Sequence, residues 1–92
     1  MKIIAHRGAS GDYPENTLLA FEQAILQGAD AIELDAHYHP CGEFVLLHDP
    51  YLDTTTNGTG KYHRQSLAEL KKLDAGDNEQ IPTLTEALTL IN

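Results

Sequence analysis

The chain has 92 residues, which limits it to one small domain. With 41% hydrophobic and 22% charged residues it is not a disordered chain, and a net charge of -8, from 14 acidic and 6 basic residues, sets it against nucleic acid and anionic membranes. The lone cysteine, Cys41, excludes an internal disulfide.

Residues 2 to 6 are almost continuously apolar and are expected as a short buried strand that runs into His6, Arg7 and Gly8. Met1-Lys2 precedes only three apolar residues, too few for a secretory core. No run approaches the roughly 20 apolar residues of a membrane span, so a cytoplasmic protein is expected. Residues 17 to 28, "TLLAFEQAILQG", have helical spacing, with Leu18, Phe21 and Ile25 on one face. Asn16 or Thr17 can cap that helix and Gly28 can end it. Residues 31 to 38, "AIELDAHY", alternate as one strand. Ile32, Leu34 and Ala36 point one way; Glu33, Asp35 and His37 point the other.

"HPCG", residues 39 to 42, reads as a tight turn, which leaves His39 exposed and makes residues 43 to 49 the second arm of an antiparallel hairpin. With Tyr38 facing Glu43, Glu33 pairs with His48, Asp35 with Leu46 and His37 with Phe44. That register gathers Glu33, Asp35 and His48 on one patch. Residues 50 to 65 form a long loop with a turn at Asn57-Gly58. Two short helices follow, each opened by a capping box: Ser66 with Glu69 over 66–73, and Thr83 with Glu86 over 83–91. The second carries an apolar stripe of Leu84, Ala87, Leu88 and Ile91. The element order is α/β.

A histidine at the end of a buried strand, followed by glycine, lies where α/β folds place their active sites. His6 can move a proton near neutral pH, Arg7 can grip a phosphate with two parallel hydrogen bonds, and Gly8 lets a ligand approach the backbone. Taken alone, the same tripeptide serves equally as a solvated basic turn. Glu33 and Asp35 are hard oxygen donors suited to Mg²⁺ or Ca²⁺, or simply the polar face of a half-exposed strand. His48, before Asp49-Pro50, is a second proton-transfer candidate or a bystander in a turn. His37 shares the acidic face. Cys41 has no base beside it in sequence and is expected to be structurally tolerated.

The series "AHRGASGDYPENTLLAFEQAILQGADAIELDAHY", "VLLHDPYLDTTTNGTG", "LDAG" and "IPTLTEAL" closely resembles the start of the glycerophosphodiester phosphodiesterases, from Ile3 to about Leu90. The resemblance implies the N-terminal portion of a TIM (β/α)8 barrel of the PLC-like phosphodiesterase type. In this reading residues 1–92 are an incomplete domain, and about 39–80 are a small insertion after the second barrel strand. By the same resemblance His6 and His48 are the general acid/base pair, Arg7 binds the phosphate, and Glu33 and Asp35 are metal ligands for a divalent cation, Mg²⁺ or Ca²⁺. The implied reaction is hydrolysis of a small-molecule glycerophosphodiester to glycerol 3-phosphate and an alcohol, through a cyclic phosphate formed by the substrate's own 2-hydroxyl. Cys41 stands where the family usually has an acidic residue, and Thr54 where it often has arginine.

A TIM barrel takes about 250 residues. The family's third metal-binding carboxylate and a downstream lysine have no counterpart among these 92 residues. The isolated chain is therefore expected to be inactive and to self-associate through open strand edges and apolar helix faces. Two alternatives stay open: a non-catalytic binding or assembly module, and a related phospholipid phosphodiesterase resembling sphingomyelinase D.

Overall fold

The computed structural model describes residues 3–91. Strand β1 (Ile4–His6) is followed by helix α1 (Leu18–Leu26) and strand β2 (Ala31–Glu33). The two strands pair in parallel, with Ile4 opposite Ala31, Ala5 opposite Ile32 and His6 opposite Glu33. This βαβ unit is the repeating piece of a barrel wall. Its first strand is less covered than expected, since Ile4 is 61% exposed. Among the described residues β1 has a strand on one side only.

Helix α1 has the predicted ends. The Thr17 hydroxyl accepts from the Ala20 amide, so Thr17 and not Asn16 is the cap. At the other end Gly28, at φ +83, donates to Ile25 O while Ala29 donates to Ala24 O, which closes the helix by the double bond pattern of a left-handed cap. A distant residue helps: Glu79 Oε1 accepts from the Leu19 amide at 2.9 Å. The buried face is Ala20, Phe21 and Ala24, whereas Ile25 points out. The two alanines are small enough to let the turn after β1 lie directly on the helix. Ala9 N–H donates to Ala20 O at 2.9 Å, and a Cβ on Gly8 would meet Ala20 backbone atoms at 2.8 Å.

The single strand expected over residues 31–38 is broken. After β2 the backbone leaves the ladder at Leu34 and Asp35 and resumes as β3 (Ala36–Tyr38), which pairs antiparallel with β4 (Phe44–Leu46). One stretch of chain thus serves two sheets. The hairpin register is Tyr38 opposite Phe44, one residue away from the expected Tyr38–Glu43 pairing. The reason lies in the loop: His39 N–H donates to Glu43 O, and Pro40, Cys41 and Gly42 form a three-residue connection with Gly42 at φ +97. His39 is also buried, at 3% exposure, rather than exposed in the turn. Its Nδ1 accepts from Cys41 N–H, so its proton sits on Nε2, which donates to Gln65 O at 2.7 Å. A histidine is needed there to tie the hairpin to the long loop.

Strand β4 separates two cores. Val45 and Leu47 join Leu52, Leu70, Ala75 and Ile81 on one side. Leu46 joins Phe21 and Ala87 on the other, with Ile32, Leu34, Leu84 and Leu90 packed around them. Helix α2 (Leu67–Leu70), shorter than the predicted 66–73, opens with the expected Ser66–Glu69 capping box. The Ser66 amide holds the Glu69 carboxyl below the usual carboxylate range. Helix α3 (Leu84–Ile91) opens with Thr83 and Glu86 bonded reciprocally. Its inner stripe is Leu84, Ala87 and Leu90, while Leu88, expected on that stripe, is 46% exposed. Asn57 makes no tight turn with Gly58; its amide and side chain bond Asp74 instead, at 3.1 and 2.9 Å.

Two outcomes follow from this packing. Gly8→Ala should lower stability by at least about 2 kcal/mol, because the new Cβ collides with the α1 backbone at a left-handed φ; urea unfolding midpoints measure this. Glu86 is subject to opposing effects: burial disfavours its charge, but the Lys71 ammonium and the Thr83 amide outweigh it and leave its pKa below 4.5. A depressed carboxylate pKa adds stability above 4.5 that disappears as pH falls through the folded value. Glu86→Gln keeps the cap but not the charge. Its deficit should be at most about 1 kcal/mol at pH 7, since the pair is partly solvated, and should shrink as pH falls below 4.5 in thermal unfolding.

Candidate active site

The C-terminal ends of β1 and β2 lie side by side, and the residues just beyond them converge. His6 Nε2 is 3.1 Å from Glu33 Oε1, as their direct pairing across the sheet requires. Arg7 follows in a left-handed conformation, at φ +57, a backbone state that non-glycine residues seldom adopt. Its amide donates to Glu33 O at 2.6 Å and fixes the turn. Its guanidinium is then held between two carboxylates: Nη1 is 3.0 Å from Glu15 Oε2, and Nε is 3.2 Å from Asp35 Oδ2. The Nε–H is not aligned for a hydrogen bond to that oxygen, so the second contact is an ion pair without one.

Asp35 sits where the strand changes partners. Its amide donates to Asn16 Oδ1 and its carbonyl accepts from Leu47 N–H, both at 3.1 Å. His48 comes directly after Leu47 and is thereby carried to the same end of the sheet. His37 Nε2 bonds the His48 carbonyl at 3.2 Å, and the Tyr62 ring packs 5.4 Å from the His37 ring. The loop that carries Glu15 and Asn16 is backed by the turn at Ala75 and Gly76, where Gly76 lies so close to Pro14 that a Cβ would sit 2.7 Å from its ring.

The structure therefore joins His6, Arg7, Glu33 and Asp35 through direct contacts. His48 makes no ion pair with them among the described residues, and the patch expected from the hairpin register is not formed. What brings His6 and Arg7 to the carboxylates is the parallel β1–β2 pairing. Glu15 and Asn16 also contact this group, through Arg7 and Asp35, and the sequence pattern does not single them out; their signal is the run "PENT", which reads as a helix entry. Open clefts of about 310 and 450 Å³ flank the turn, the first reached by His6 and Ser10, the second by Arg7, Tyr13 and Glu15.

Glu33 and Asp35 offer carboxylate oxygens, donors that suit a divalent cation. Among the described residues no hydrogen bond reaches Asp35 Oδ1, and no group of three or more His, Cys, Asp or Glu side chains is gathered as a metal cluster. The donor chemistry fits a divalent cation, for which these residues would supply two carboxylates.

Residues 6–92 match the model of the Glycerophosphoryl diester phosphodiesterase family. The chain belongs to that family. It is 48% identical over 96 residues to a glycerophosphodiester phosphodiesterase of Caldanaerobacter subterraneus subsp. tengcongensis, covering 97% of this chain and 40% of that protein. Human glycerophosphodiester phosphodiesterase 1 is 44% identical over 94 residues, 92% of this chain and 28% of its own length. Among solved structures, an Oleispira antarctica phosphodiesterase in complex with the product sn-glycerol-3-phosphate superposes with a TM-score of 0.93 at 45% identity, over 99% of this chain and 40% of that one. A Thermotoga maritima glycerophosphodiester phosphodiesterase gives 0.86 at 35% identity, over 100% and 40%. The chain thus has the fold of a portion of the family's TIM barrel and spans 28% to 40% of the length of these relatives. No helix among its described residues is long and apolar enough to cross a membrane.

Proposed function

We propose that this chain carries the reactive mouth of a metal-dependent glycerophosphodiester phosphodiesterase, which yields glycerol 3-phosphate and an alcohol. The observation that carries the proposal is the convergence of His6 with Glu33, and of Arg7 with Asp35, at the C-terminal ends of two paired parallel strands. That is the end at which barrel enzymes do their chemistry. The product bound to the Oleispira relative supports the substrate class. In this reading residues 1–92 form part of the barrel domain, with about 39–80 as its insertion.

Arg7 is the phosphate grip. Glu15 and Asp35 hold two of its nitrogens, and Nη2, bonded to no described residue, remains for a phosphate oxygen. His6 and His48 act as the acid/base pair. One accepts the proton of the substrate's 2-hydroxyl as its oxygen bonds to phosphorus. The other donates a proton to the alcohol oxygen as its bond to phosphorus breaks. Water then opens the cyclic phosphate with the two roles reversed. Glu33 and Asp35 would hold Mg²⁺ or Ca²⁺, which offsets the charge that builds on the phosphate.

Steady-state turnover of glycerophosphocholine by the full-length protein tests the reading. His6→Ala and His48→Ala should each lower kcat by at least about 100-fold, and a near-normal rate removes that histidine from the mechanism. Arg7→Lys should raise KM and lower kcat, because a single ammonium cannot reach Glu15 and Asp35 and still present a separate nitrogen to phosphate. Asp35→Ala should weaken cation binding in calorimetry. Turnover of sphingomyelin or lysophosphatidylcholine in preference to glycerophosphocholine would move the protein to a phospholipid substrate.

A further inference from the structure

We infer that Asn16 is a positioning residue, which locks Asp35 in one orientation and leaves a single carboxylate oxygen, Oδ1, to a divalent cation. The inference rests on the cation-dependent reading above and adds to it a residue that neither contacts phosphate nor transfers a proton.

The side chain of Asn16 makes two contacts with the same residue. Its Nδ2 donates to Asp35 Oδ2 at 3.1 Å, and its Oδ1 accepts from the Asp35 amide at 3.1 Å. The second bond also decides the amide's orientation, since a backbone N–H needs an acceptor. Arg7 Nε approaches the same Oδ2 at 3.2 Å. The amide donor and the guanidinium thus both fall on one oxygen, and Oδ1 is unbonded among the described residues. The Asn16 amide in turn donates to Arg7 O at 3.0 Å, so one residue sets both the grip and the carboxylate.

Few side chains could do this. Asn16 is 2% exposed and has φ +56. Asparagine tolerates that conformation better than most residues and presents donor and acceptor in one plane. Aspartate would set a second carboxylate against Asp35. Serine is too short to span both groups, and glutamine is one methylene too long. The helix cap, the other role open to a polar residue here, belongs to Thr17. Asn16 is therefore spared for Asp35.

The test titrates Ca²⁺ into the full-length protein by calorimetry, and Mg²⁺ separately into the parent, with thermal melting of every variant. Asn16→Gly removes the clamp and keeps the left-handed backbone unstrained, so it should fold even if Asn16→Ala does not. Loss of a residue that orients a metal ligand should weaken Ca²⁺ binding by about 10- to 100-fold. Saturating Ca²⁺ should restore most of the kcat for glycerophosphocholine, which a general loss of structure would not allow. Thr17→Ala serves as the control: it loosens the same helix entry without touching Asp35 and should bind Ca²⁺ as the parent does. The inference is overturned if Asn16→Gly binds Ca²⁺ like the parent, or if Thr17→Ala weakens binding as much at an equal melting loss. A parent protein that binds neither Ca²⁺ nor Mg²⁺ overturns the cation-dependent reading and the inference with it. A parent that binds cation beside an unaffected Asn16→Gly overturns the inference alone.

Discussion

The fold depends on how the backbone leaves one sheet for another at Asp35. Residues 31–38 must pair with β1 on one side of this point and with β4 on the other. At the crossing the peptide groups lose their ladder partners, and a backbone donor or acceptor left unpaired in a partly buried place is costly. Asn16 takes the free N–H and Leu47 supplies a donor for the free carbonyl. Those two bonds draw the "PENT" loop and the end of β4 to the same spot. The groups proposed to react come along as passengers of this exchange, Arg7 because its carbonyl bonds Asn16, and His48 because it follows Leu47.

The parts legible in the sequence are those whose partners lie within about four residues. Thr17, Ser66 with Glu69, and Thr83 with Glu86 satisfy orphan amides one turn away, and all three cap as their spacing foretells. Gly28 ends α1 for the same local reason. The expectations that fail turn on loop closure or on distant partners. The hairpin slips by one residue because a three-residue loop fits Pro40-Cys41-Gly42, a choice made by Gly42 and the buried His39 rather than by alternation. His39 reads as exposed because its partner, Gln65, is 26 residues away. The outer side chains of β1 and α1 cannot be read as exposed, because apolar spacing reports what a face can bury and not what covers it.

The candidate site divides in the same way. The residue types and their order carry the family resemblance, and the family match agrees with it. The contacts between them do not follow from that order. By sequence Asn16 is a possible helix cap, and Glu15 is nothing in particular. Each gains its role only where four segments meet in three dimensions, namely the turn after β1, the "PENT" loop, the exchange point and the end of β4. The "LDAG" run becomes intelligible in the same way. The Asp74 carboxylate organises its turn by accepting from Gly76 and Asn78, and Gly76 leaves room for Pro14 behind the site.

Charge gives the last argument. Arg7 stands between Glu15 and Asp35, and the adjacent His6 faces Glu33, so this end of the sheet sets three carboxylates against one permanent cation in a chain whose net charge is -8. Such a site would repel a phosphodiester anion if it worked as it stands. Arg7 does not correct the balance, because two of its nitrogens are already committed to carboxylates. An ion pair that is mostly neutralised positions a phosphate better than it attracts one. A bound divalent cation would reverse the local sign and supply the attraction that Arg7 lacks. On the proposed reading, then, the surplus of acid in this chain is a working part of the site: Glu15 and Asp35 orient the grip, and Glu33 and Asp35 make room for the charge that brings the substrate in.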